Sequence, residues 1–76
     1  MIYSFQFAGA DPNLEKRLKD RQGHAGFKLV KYAVGEEAGE PISQVEIEWN
    51  GDPTIRPHPL FKEMARCGGE IMKYWQ

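Results

Sequence analysis

Residues Arg56 to Trp75 read RPHPLFKEMARCGGEIMKYW, and the fold turns on whether the glycine pair inside this stretch interrupts a helix. From Leu60 onward the residues Leu60, Phe61, Met64, Cys67, Gly68, Ile71, Met72, Tyr74 and Trp75 fall on one broad side of a helical wheel. Lys62, Glu63, Arg66, Glu70 and Lys73 fall on the other. The apolar pattern stays in phase across Gly68-Gly69, which predicts one amphipathic helix that continues to Trp75. An interior glycine costs a helix about 1 kcal/mol relative to alanine. Gly68 offsets that cost if its missing side chain lets the backbone approach the sheet, Trp49 or a second copy closely. Met64, Gly68, Ile71 and Trp75 are thus the expected close-packing or dimer seam, and a break at the glycine pair is the competing reading.

Upstream, residues 2–8 (IYSFQFA) alternate Tyr3, Phe5 and Phe7 with Ser4 and Gln6, the period of a half-buried strand. Asp11 and Pro12 then supply a cap and a first helical residue, predicting a short helix from about Pro12 to Arg21 with Leu14 and Leu18 inward and Gly23 as its stop. The segment Phe27–Val34 is rich in β-formers but loses its parity after Leu29, which predicts a strand buried on both sides in part or one carrying a bulge. GEEAGEP reads as a flexible polar loop. Residues 42–50 then give the clearest strand, with Val45, Ile47 and Trp49 on one face and Gln44, Glu46 and Glu48 on the other. The order strand, helix, strand, strand, helix describes a single α+β domain over residues 1–76. Its three-stranded, single-layer sheet carries the C-terminal amphipathic helix on one face, with the third strand between the other two as in a split β-α-β unit.

Composition limits the functional classes. A 76-residue chain with 41% hydrophobic and 28% charged residues is an ordinary globular domain with little core to spare, so self-association as a homodimer is an expected way to bury surplus apolar surface. One cysteine forms no internal disulfide, and the chain has no signal-like or membrane-spanning apolar run, which points to a reducing, cytoplasmic setting. Charge is segregated along the sequence. Lys16, Arg17, Lys19, Arg21, Lys28 and Lys31 outweigh Glu15 and Asp20, whereas Glu36, Glu37, Glu40, Glu46, Glu48 and Asp52 follow with no Lys or Arg among them. A net charge of −1 and the lack of a basic-aromatic stripe argue against nucleic acid as a direct partner.

No catalytic pattern emerges. Cys67 shares a helix face with Leu60, Met64 and Ile71, about 13 Å of axial rise from His58, so a small buried hydrophobe accounts for it better than a nucleophile. His24, His58 and Cys67 are too scattered for a metal motif, and Gly68-Gly69 lacks the strand and the Lys-Ser/Thr of a phosphate loop. No metal or other cofactor is expected. The reading that follows is a small non-enzymatic protein that binds another protein or complex through Glu36, Glu37, Glu40, Glu46, Glu48 and Asp52. An inhibitor, adaptor or accessory subunit of the kind carried by phages and other mobile elements has this size. The alternative is a small anion-binding protein or minor enzyme using Thr54, Arg56 and His58 at a helix start, where free amides favour negative charge.

Overall fold

A computed structural model describes residues 1–51 and 59–76 of the chain, so Asp52, Thr54, Arg56 and His58 lie outside the described residues. The alternation in the first segment forms strand β1 (Ile2–Ala8), with Tyr3, Phe5 and Phe7 buried on one face. Helix α1 runs from Leu14 to Ala25, four residues past the expected end, because Gly23 stays helical and Gly26, in the left-handed region at φ 78°, makes the stop. Asn13 occupies the cap position. Asp11 works one turn earlier, its carboxylate accepting the Asn13 amide at 2.9 Å and its carbonyl the Leu14 amide at 3.2 Å.

Strand β2 (Phe27–Glu37) pairs antiparallel with β3 (Glu40–Trp49), and the parity lost in the sequence is a bulge: Leu29 faces Ile47, Lys31 faces Glu46, and Val30 is the extra residue. The bulge returns Tyr32 to the side of Phe27 and Leu29. The segment expected to be a flexible loop is instead ordered. Glu37 faces Glu40, and the turn residues Ala38 and Gly39 both have positive φ (52° and 82°), the sign pattern of a type I′ hairpin turn.

Helix α2 (Pro59–Gly68) does not continue to Trp75. Gly69 adopts φ 79° and donates its amide to the Ala65 carbonyl at 3.0 Å, closing the helix, and residues Ile71–Trp75 form a fourth strand, β4. The expectation of three strands and one long C-terminal helix is corrected accordingly: the sheet has four strands in the order β2-β3-β1-β4, with neighbours antiparallel throughout. The physical reason is the vacant side of β1. A fourth strand satisfies its outward amides and carbonyls, and Ile71, Tyr74 and Trp75 are strong β-formers. The α+β class holds, β3 lies between β1 and β2, and the β-α-β-β-α-β connectivity is of the ferredoxin-like type.

One core sits between the sheet and the two helices, built from Tyr3, Phe5, Phe7, Leu14, Leu18, Phe27, Val45, Ile47, Trp49, Leu60, Met64 and Cys67. Each large apolar side chain buried there contributes about 1.5–3 kcal/mol. Gly68 brings the helix backbone against Phe7, and a β-carbon built on it would overlap the Phe7 ring. Arg17 ties the helix ends together, donating from Nε to the Cys67 carbonyl at 2.8 Å while its guanidinium pairs with Asp11.

Candidate functional site

The helices occupy one face of the sheet, and among the described residues no helix covers the other. Register places the side chains of that open face in rows. Lys28, Glu48 and Ile2 form one row; Lys31, Glu46, Ser4 and Trp75 the next; Ala33, Gln44, Gln6 and Lys73 the third. The two charge lobes of the sequence therefore interleave on this face, because the hairpin sets Lys28 opposite Glu48 and Lys31 opposite Glu46. Opposite charges facing each other across strands favour the pairing by about 0.2–1 kcal/mol each.

The rest of the acidic set lies on the hairpin arm. Glu37 and Glu40 are direct register partners, a like-charge arrangement that is unfavourable by itself. Glu37 is drawn instead toward the far side of the sheet, where its carboxylate accepts from the Gln6 amide and pairs with the Lys73 ammonium at 3.3 Å. The Gln6 hydrogen bond first, and then Lys73, hold the Glu37 carboxyl below its ordinary value. These contacts explain why Gln6 is only 1% exposed on a face that no helix covers. Its carbonyl oxygen also takes a long 3.5 Å hydrogen bond from Gln44.

Large apolar side chains stand around these charges. Ile2, Met72 and Trp75 are 45%, 50% and 44% exposed. Ile2 lies one register step from Trp75, and the thioether of Met1 accepts from Gln76. On the helix side of β4, Tyr74 stacks on Phe5 with ring centres 5.6 Å apart and meets Phe61 edge-on at 5.3 Å. Of the expected seam, Met64 is fully buried in α2, Gly68 faces Phe7, Ile71 packs against the core from β4, and only Trp75 reaches solvent on the open face. The apolar rim of β4 is the part that the residue pattern did not isolate; its signal was the run of β-formers after the glycine pair.

A depression of about 340 Å³ lies between the helices and is lined by Arg17, Asp20, Arg21, Arg66 and Cys67. Each of its arginines has a carboxylate partner. Arg17 pairs with Asp11, and Arg21 and Arg66 share the Glu63 carboxylate at 3.0 and 3.5 Å, so three guanidinium groups meet two carboxylates there and no arginine is without a partner. Burial, and then the Glu63 carboxylate, push the Cys67 thiol up, which keeps it protonated at neutral pH and a poor nucleophile.

Among the described residues no group of three His, Cys, Asp or Glu side chains is placed to hold a metal ion. No described helix is long and apolar enough to cross a membrane. Compared with known proteins, the chain matches no family model, no curated protein and no solved structure.

Proposed function

We propose that the chain is a small non-enzymatic protein-binding module, an inhibitor, adaptor or accessory subunit, that meets its partner through the open face of the sheet in a cytoplasmic setting. The observation that supports this reading is the apolar content of that face. An antiparallel sheet with one face in water ordinarily makes that face polar, yet Ile2, Met72 and Trp75 stand exposed beside Glu46, Glu48, Lys28 and Lys31. Aromatic and Met side chains bordered by charge are the composition of a protein interface. Mixed charges around the patch fix the partner's orientation more than they raise its affinity. Glu40 on the hairpin arm extends the acidic side of the same surface, whereas Glu36, in phase with Tyr32, lies on the other side of the arm.

The test is site-specific photo-crosslinking from Ser4, which lies between Glu46 and Trp75 in its row. The wild-type chain is expected to crosslink one defined protein from cell extract. Trp75→Ala and the Glu46→Lys, Glu48→Lys pair are each expected to lose that product at least tenfold while thermal unfolding stays cooperative. Equal recovery by wild type and both variants overturns the reading.

A further inference from the structure

The two outer strands leave different backbone groups exposed, and hydrogen-bond parity identifies them. Gly9 donates to the Pro41 carbonyl and Trp49 to the Met1 carbonyl, so odd-numbered residues at the two ends of β1 aim their backbone groups at β3. Even-numbered residues aim at β4, as the bond from the Ala8 amide to the Glu70 carbonyl shows. Ser4 faces Trp75 and Gln6 faces Lys73; Trp75 and Lys73 therefore bond inward, and the N–H and C=O of Tyr74, between them, point away from the sheet.

We infer that β4 is the seam of a two-fold homodimer, in which two copies pair antiparallel with Tyr74 of one opposite Tyr74 of the other. This register satisfies three conditions together. The Tyr74 amide and carbonyl of each copy bond those of the other, as a hydrogen-bonded antiparallel pair requires. Tyr74 meets its equivalent on the helix side, extending the contacts with Phe5 and Phe61 into one aromatic row. On the open face Lys73 stands opposite the second copy's Trp75, a cation–π arrangement. A shift by one step to centre the axis on Lys73 would set two like charges face to face. The Lys73–Trp75 pairing thus favours this register over the one centred on Lys73, and the occupant is a second copy of the chain.

The extent of the contact sets its strength. Phe61, Tyr74 and Trp75 are 37%, 47% and 44% exposed, which for rings of about 150–250 Å² leaves on the order of 250 Å² of aromatic surface per chain. Two copies bring roughly 500 Å² of ring together with their strand backbones, against about 1,200 Å² in the smallest stable complexes. The dimer is accordingly a weak one, formed at high micromolar concentration, and it joins the two open faces into a continuous eight-stranded surface.

Sedimentation velocity and amide hydrogen exchange, each followed from about 10 μM to about 1 mM, test the seam. For the wild-type chain the average mass is expected to rise by about half across this range, and exchange of the Tyr74 amide to slow about twofold while that of Leu29 is unchanged. Tyr74→Lys, which brings two ammonium groups to the axis, is expected to remain a monomer throughout with its circular dichroism preserved. If that variant is poorly folded, the wild-type exchange profile still decides. A wild-type chain that stays monomeric at 1 mM, a rise in mass without protection of Tyr74, or a folded Tyr74→Lys variant that dimerises like wild type overturns the proposal. None of these outcomes bears on crosslinking from Ser4, which reads the open face and not the edge.

Discussion

The sheet has two outer strands, β2 and β4, and they meet solvent in opposite ways. On β2 the edge is interrupted by the Val30 bulge, flanked by Lys28, Lys31 and Glu36, and blocked at one amide, where the Gln22 side chain from α1 accepts the Leu29 N–H at 2.8 Å. Natural sheets use such bulges, charges and covering groups to stop their edges from recruiting further strands. On β4 the bulge falls at the entry, around Met72, so the stretch from Lys73 onward is regular. The only charge there, Lys73, is held by Glu37. Among the described residues one edge is closed by its own chain and the other is left able to pair. Exposure alone would not separate them, since Val34 on β2 is as accessible as Met72 on β4; what differs is how the backbone donors and acceptors are occupied.

The largest effect is expected at the support of β4. Gly68→Val would drive a branched side chain into the Phe7 ring, and overpacking of this kind costs about 1–3 kcal/mol. We expect the upper end, because backbone lies on one side and a buried ring on the other. The urea midpoint should fall accordingly, with the β4-facing amides of Ser4 and Gln6 on β1 losing protection before the β2–β3 hairpin does. Deletion of Val30 should blur the contrast from the other side. Without it Leu29 opposite Ile47 runs directly into Lys31 opposite Glu46, and the regular ladder removes the bulge that guards β2. In a Tyr74→Lys background, where β4 is blocked, sedimentation should then show new association; a chain that remains monomeric would mean that lysines and Gln22 suffice without the bulge.

The smallest effect belongs to Glu37, which links the two edges by reaching from the end of β2 to Lys73 on β4. Its folded pKa is lowered, so its stabilising contribution is present above the ordinary glutamate value of about 4.3 and is lost as pH falls through the depressed folded value. Thermal unfolding of wild type should therefore show a slightly steeper loss below pH 4.3 than Glu37→Gln, with the two melting temperatures converging at lower pH. Because the carboxylate is open to solvent, the difference should shrink at high salt. Parallel pH profiles for the two chains would show that the Gln6 and Lys73 contacts contribute nothing measurable.

Much of this arrangement could be read from residue order, and the places where it could not share a cause. Strands β1 and β3 were legible because their alternation is unbroken, and the irregularity of β2 was legible because parity visibly fails after Leu29. In β4 a bulge had the opposite effect. The extra residue puts Ile71 and Tyr74 on the same side at a spacing of three, which is also the spacing of neighbours on a helix, so the strand imitated a continuation of α2. The hairpin was hidden because Ala38 takes a positive φ that alanine rarely adopts. The acidic set was legible as a list but not as a surface. Register, a property of two strands together, put Glu46 and Glu48 beside lysines and sent Glu37 across the sheet.

The position of β1 between β3 and β4 also bears on how fast the molecule forms. The β2–β3 pairing closes across the Ala38-Gly39 turn, and hairpins of that kind form in about 1–10 μs. The bond from the Gln6 amide to the Met72 sulfur spans 66 positions of sequence, and the entropy of closing so long a loop is met before the contacts repay it. Refolding is therefore expected to assemble the hairpin first and seat β4 last. In the interval the outward groups of β1 form a temporary sticky edge, and β4 competes for it with any other extended chain nearby.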